Sequence, residues 1–258
     1  MALTPGLTPD STLVPGAPAA GGQQPGRPET ATSETMIRLA DVIKVYREVD
    51  VETVALRGID LEIGRGEFVA LMGRSGSGKS TLLHLLAGSD RPTAGRVVVD
   101  GVDLSRADEV VRGELRGSRV GIVFQSQNLV SFLDLVENVM LATALAGRPI
   151  DPVTAAEALT RVGLGERLHH RPEQLSGGEQ QRAALVVVTA TDPLMLLADE
   201  ISGELDSATA ATLLDLLVEL HGSGSLTIVL ATHDPEVAAR ATRIVELDDG
   251  RIVGDRRA

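Results

Sequence analysis

Gly73-Arg74-Ser75-Gly76-Ser77-Gly78-Lys79-Ser80 is the stretch that decides how this chain folds. It fits the pattern G-x-x-x-x-G-K-[ST], and its flanks fit too. The apolar run Val69–Met72 reads as a strand before it, and Lys79–Ala87, with Leu82, Leu83, Leu85 and Leu86, reads as a helix after it. Glycines allow a tight turn whose amides point inward at an anion, and the helix N-terminus adds partial positive charge. Lys79 is placed for the β- and γ-phosphates of a nucleotide, and the Ser80 hydroxyl for Mg²⁺. Gly73, Ser75, Gly76, Gly78, Lys79, Ser80 and Thr81 are therefore the candidate nucleotide contacts.

Outward from this loop the pattern alternates between strand and helix. Ile37–Arg47, Ala55–Ile63 and Arg96–Asp100 read as strands, the last closed by an Asp100-Gly101 turn. Residues from about 125 to 185 read as mostly helical. Leu194–Ala198 and Leu226–Ala231 are apolar strands separated by a helix over Ala208–Leu220, and a hairpin around Asp248-Asp249-Gly250 ends the chain. Such alternation implies an α/β fold centred on a parallel sheet. Residues 1–35 are rich in Pro, Gly, Ala and Thr; they read as a disordered tail, leaving 36–258 as the folded domain.

Composition removes several function classes. A net charge of −12 opposes a broad nucleic-acid surface. No uncharged apolar run reaches the 18 residues that suggest a membrane helix, and no signal peptide is evident. Zero cysteines exclude a disulfide framework and fit a cytoplasmic location. Only two lysines, Lys44 and Lys79, and one tyrosine, Tyr46, are present, so each carries more information than a common residue.

A phosphate-binding loop of this kind needs a carboxylate for Mg²⁺ and a group that activates water. Leu194–Ala198 runs into Asp199 and Glu200. Asp199, at a strand end, is the metal candidate beside Ser80, and Glu200 is the candidate general base. His233, after the next apolar strand, is a candidate for holding the γ-phosphate or the water, although an isolated histidine is more often structural.

Leu175-Ser176-Gly177-Gly178-Glu179-Gln180-Gln181-Arg182 resembles the signature motif of the ATP-binding cassette superfamily. Val123-Phe124-Gln125 resembles its Q-loop, and Gly203-Glu204-Leu205-Asp206 its D-loop. The resemblance runs from Met36 to the C-terminus with every motif in order. It implies a P-loop NTPase ABC cassette: a parallel-centred core sheet, an antiparallel β-subdomain and a helical subdomain over about 125–185. It also implies ATP and Mg²⁺ as ligands, with Gln125 joining Ser80 and Asp199 at the metal and Glu200 and His233 in catalysis. Tyr46 matches the aromatic that stacks on adenine.

Ser176, Gly177 and Gly178 form a second exposed helix N-terminus, which one chain cannot aim at its own phosphates. The resemblance implies a homodimer in which this segment, with Asp206, closes on ATP held by a second copy. A separate membrane permease is the implied partner, holding the chain at the inner face of the cell membrane, with Phe132, Leu133 and Leu135 as contacts if they are not core. Ala55–Leu61, Gly66–Gly73, Leu129–Asn138 and Gly165–Gly178 look like the lipoprotein-release and macrolide-exporter branch. Two positions depart from the family: Val187 replaces an arginine, and Ile201-Ser202-Gly203-Glu204 replaces Pro-Thr-Gly-Asn. The competing functions are a nucleotide-dependent scaffold with little hydrolysis and a soluble cassette acting on nucleic acid.

Overall fold

The structure, a computed structural model, describes residues 34–48, 51–124, 129–201, 207–222, 224 and 226–257. The tail expected over residues 1–35 falls outside these except for Glu34 and Thr35, and Thr35 already opens the first strand.

Two sheets organise the chain. β1 (Thr35–Glu48) and β2 (Val51–Gly64) are antiparallel, with Lys44 opposite Leu56 and Tyr46 opposite Thr53. β4 (Ala94–Val99) pairs with the other edge of β1, and β5 (Val102–Asp103) completes the order β2-β1-β4-β5. The second sheet runs β10-β9-β3-β8-β7-β6. Its strands are β10 (Arg251–Arg257), β9 (Arg243–Asp248), β3 (Phe68–Met72), β8 (Thr227–Thr232), β7 (Met195–Asp199) and β6 (Val120–Val123). All pairings there are parallel except β9 with β10.

The period of two along these strands divides their side chains between two cores. Val69, Leu71, Met195, Leu197, Val229, Ala231, Val245 and Leu247 face one side, where they meet α1 (Lys79–Leu86) and the antiparallel sheet. Phe68, Ala70, Leu196, Ala198, Ile228, Leu230 and Ile244 face the other. There they meet α6 (Ser207–Gly222), the short α7 (Pro235–Ala238) and part of α5 (Gly177–Thr189). Burial on both faces is why these strands read as unbroken apolar runs.

A third cluster joins α3 (Leu135–Leu145), α4 (Pro152–Arg161) and the other face of α5. Each of these helices begins at a side-chain cap: Asp134 with Glu137, Asp151 ahead of Pro152, and Ser176 with Glu179. Val187 lies buried in this cluster. The β-branched run Val186–Val188 does not interrupt α5, because packing of Val186 and Val187 outweighs a few tenths of a kcal/mol of propensity per residue. Leu135 is fully buried here and is not a surface contact, whereas Phe132 is 70% exposed and Leu133 half-buried.

α2 (Glu109–Ser118), capped by Asp108, and β6 have no counterpart in the sequence reading. α2 contains Gly113 and Gly117 and only three bulky apolar residues, Val110, Val111 and Leu115, so its composition does little to mark it as a helix.

Candidate nucleotide-binding site

β3, β8 and β7 are adjacent and parallel, so their carboxyl ends open on one edge of the sheet, the usual ligand-binding edge of such folds. From β3 the chain enters Gly73–Gly78 and then α1. Gly78 caps α1 at φ 106°, a conformation that strains any L side chain, and a Cβ there would lie 2.7 Å from the Ala55 carbonyl. Lys79 is 4% exposed; its Nζ donates to the carbonyls of Gly73 (2.8 Å) and Arg74 (3.1 Å), curling the loop around its ammonium. The turn between β9 and β10 supports the loop from below, with the Gly250 amide donating to the Ser77 carbonyl at 3.1 Å.

β7 and β8 deliver the acidic side of the site. Asp199 ends β7, and its Oδ1 is buried with no hydrogen-bond partner among the described residues. An orphaned carboxylate oxygen is costly unless something cationic satisfies it. Glu200 follows in a left-handed conformation, φ 46°, which costs about 1–3 kcal/mol for a residue other than glycine. Its amide is held by the Ala231 carbonyl at 3.0 Å. That twist turns the Glu200 carboxylate toward Lys79 Nζ (3.5 Å) and His233 Nδ1 (3.3 Å). Lys79, Glu200 and His233, 154 residues from first to last, therefore meet at one point.

Tyr46, Ser75, Gly76, Gly78, Lys79, Ser80, Thr81, Asp199 and Glu200 line a single open cleft of about 690 Å³ with Glu52–Ala55, Arg57 and Asp249. Tyr46 stands at the end nearest β1 and β2, partly exposed, and its hydroxyl donates to Asp90 Oδ2 at 3.0 Å. Asp90 Oδ1 accepts from Lys44 Nζ at 2.6 Å, and that ammonium lies 4.7 Å from the Tyr46 ring centroid. Partial burial raises the Tyr46 hydroxyl above its ordinary range, and the Asp90 charge adds to this against a hydrogen bond from Thr81. Burial opposes ionisation of Asp90, yet Lys44, the Arg91 amide and the Tyr46 hydroxyl together hold its carboxyl below the usual range.

Ser176, Gly177 and Gly178 do not line this cleft. Ser176 caps α5, its Oγ accepting from the Glu179 amide while Glu179 Oε2 accepts from Ser176 N at 2.8 Å. Donation from the Ser176 amide, then from the Arg167 guanidinium at 3.0 Å and the Ser176 hydroxyl at 2.9 Å, pulls the Glu179 carboxyl down to about 2. Ser176 and Gly177 are exposed, whereas Gly178 is buried where α6 crosses. Gln125, Glu204 and Asp206 lie outside the described residues. His169 Nδ1 bonds the α3 cap Asp134 at 3.0 Å.

The sequence reading missed Lys44, Asp90 and Gly250 as parts of this site. Lys44 carried a usable signal: it is one of two lysines and stands two residues before Tyr46, hence on the same face of the strand. Asp90 carried none, because only the fold brings it 46 positions back to Lys44.

Comparison with known proteins agrees with this geometry. The model of the ABC transporter family matches residues 56–203. The lipoprotein-releasing system ATP-binding protein LolD of Anaeromyxobacter dehalogenans is 47% identical over 85% of this chain and 93% of its own length. The macrolide export ATP-binding/permease protein MacB of Hyphomonas neptunium is also 47% identical over 85% of this chain, which spans only 34% of that longer relative. Among solved structures, the ATP-binding cassette MJ0796, a dimer in a post-hydrolysis state bound to ADP and Pi, superposes with a TM-score of 0.81. It is 36% identical, covering 86% of this chain and 98% of its own. A strand-loop-helix phosphate cradle, an acid pair at the end of a parallel strand of the same sheet and these matches have one explanation: the chain belongs to the ABC transporter family, as one of its ATP-binding, ATP-hydrolysing cassettes.

Proposed function

We propose that the cleft binds ATP with Mg²⁺ and that two copies of the chain close on two nucleotides to drive a membrane permease. The observation that carries this reading is the meeting of Lys79 and Glu200 at 3.5 Å beside the buried Oδ1 of Asp199, which has no partner among the described residues. Oxygen donors from Ser80 and Asp199 in one cleft suit a hard cation that prefers oxygen. When bound, Mg²⁺ supplies neutralisation of charge on the β- and γ-phosphate oxygens.

In the proposed reaction the loop amides and Lys79 hold the phosphates, with Tyr46 stacked on adenine. Glu200 accepts a proton from water as its oxygen attacks the γ-phosphorus. The bond from that phosphorus to the β–γ bridging oxygen breaks, and the electron pair leaves with ADP, releasing inorganic phosphate. His233 keeps the Glu200 carboxylate oriented through the 3.3 Å contact. Gln125, Gly73 and Thr81 complete the proposed contacts, and Asp206 is assigned to the interface between copies.

A dimer is supported by the absence of Ser176–Gly178 from the cleft and by the dimeric state of MJ0796. A permease partner is supported by the names of the LolD and MacB relatives, and no described helix is long and apolar enough to cross a membrane. Lipoprotein release or export is the transport class these relatives favour, with the chain at the cytoplasmic face of the membrane. Exposed Phe132 is the candidate permease contact.

The test is phosphate release from ATP by the purified chain, with and without Mg²⁺, beside Asp199→Asn. Release that requires Mg²⁺ and is lost in the variant supports the assignment. Equal, metal-independent release from both proteins overturns it.

A further inference from the structure

Lys44 is one of only two lysines, it is 9% exposed, and nothing in phosphate binding uses it. Its ammonium donates to Asp90 Oδ1 (2.6 Å) and to the Arg91 carbonyl (2.9 Å) and lies 4.7 Å from the centre of the Tyr46 ring. An ammonium has three donors. With two directed at those oxygens, the third direction is left to the ring face, where a cation is attracted by the ring quadrupole. The same Asp90 carboxylate takes the Tyr46 hydroxyl on its other oxygen at 3.0 Å. Asp90 itself is fixed by the chain leaving α1: its amide donates to the His84 carbonyl (3.3 Å), and Oδ1 also accepts from Arg91 N (2.6 Å).

We infer that Lys44 and Asp90 are positioning residues that hold the Tyr46 ring as a preorganised platform for the nucleobase. This rests on the proposed stacking role of Tyr46 and deepens it. An aromatic on an exposed strand end would otherwise turn about its side-chain torsions and lose that freedom on stacking, which weakens binding. Here the ring is held from its hydroxyl end by Asp90 and from one face by Lys44, and Tyr46 lines the cleft. Because Asp90 follows α1, the platform is also tied to the helix that carries Lys79 and Ser80, which sets the spacing between base and phosphates.

The experiment measures binding of two probes, MgATP and magnesium tripolyphosphate, to the full chain and to Lys44→Met, Asp90→Asn, Tyr46→Ala and Lys44→Met/Tyr46→Ala. Tripolyphosphate has no base, so it reports whether the phosphate loop is intact and the protein folded. Lys44→Met is expected to weaken MgATP about tenfold, a loss within the range of one base–aromatic stack, while tripolyphosphate changes less than twofold. Asp90→Asn is expected to move in the same direction, and it carries the test if Lys44→Met does not fold. The double variant should bind MgATP no more weakly than Tyr46→Ala alone, since both changes remove one stack. If Tyr46→Ala leaves the preference for ATP over tripolyphosphate unchanged, the stacking role itself is wrong, and this inference with it. If Tyr46→Ala reduces the preference but Lys44→Met and Asp90→Asn do not, or if the double variant shows additive losses, stacking stands and the positioning role is overturned.

Discussion

Gly250 donates its backbone amide to the carbonyl of Ser77 at 3.1 Å, so the last hairpin of the chain braces the phosphate-binding loop from beneath. Gly250 has φ 70°, and a Cβ there would lie 2.6 Å from the Ala55 carbonyl. Gly250→Ala must therefore strain its own backbone and push β2 away from the loop. It is expected to lower stability by about 1–3 kcal/mol and to weaken MgATP binding at least several-fold. Denaturant unfolding and nucleotide titration on the same preparation check both. Unchanged ATP affinity would show that the loop keeps its shape without the hairpin.

The start of α5 should be sensitive to pH through Glu179. Its folded carboxyl is lowered from 4.5 to about 2, first by the Ser176 amide and then by Arg167. A lowered folded value means that the ionised form stabilises the protein above pH 4.5, and that this contribution is lost as pH falls toward 2. Glu179→Gln keeps the capping shape without the charge. It should be less stable than the natural protein by about 1 kcal/mol at pH 7, with the gap narrowing below pH 4.5. A gap that stayed constant from pH 7 to pH 3 would contradict the electrostatic role.

Gly178 is glycine because α6 leaves no room for anything larger. A Cβ at this position would sit 2.3 Å from Thr209 Cγ2. Gly178→Ala should destabilise the protein by about 1–3 kcal/mol, and the second change Thr209→Ser, which deletes the offending methyl, should recover much of that. The double-mutant cycle is read by denaturant unfolding. Purely additive losses would mean that the two residues do not meet.

Exposed Ser176 and Gly177 are assigned to the nucleotide of a second copy. Sedimentation of Glu200→Gln with MgATP should show a dimer. Adding Ser176→Arg should return it to monomer while tripolyphosphate binding stays intact. Persistence of the dimer in the double variant would place the interface elsewhere.

Much of this molecule was legible from residue order. β3, β7 and β8 are apolar on both faces, so Val69–Met72, Leu194–Ala198 and Leu226–Ala231 stood out. The phosphate loop combined a strict residue pattern with the correct flanks. What could not be read is of three physical kinds. The helix Glu109–Ser118 has two glycines and only three bulky apolar residues among ten, so low apolar content and weak helix propensity hid it. Leu133 and Leu135 are chemically identical, yet Leu135 packs into the α3–α5 core while Leu133 is half-buried; their burial depends on partners distant in sequence. The left-handed backbone of Glu200, and the convergence of Lys44, Tyr46 and Asp90, exist only after the sheets are assembled. Gln125 and Asp206, inferred from motif resemblance, lie outside the described residues.

The most direct test of ATP hydrolysis at this cleft is a single-turnover measurement of phosphate release from MgATP, comparing the natural chain with Glu200→Gln. General-base catalysis contributes about 10²–10⁴ in rate, so release should slow at least a hundredfold while MgATP affinity stays within about threefold. Equal single-turnover rates in the two proteins would contradict the assignment of Glu200 as the base.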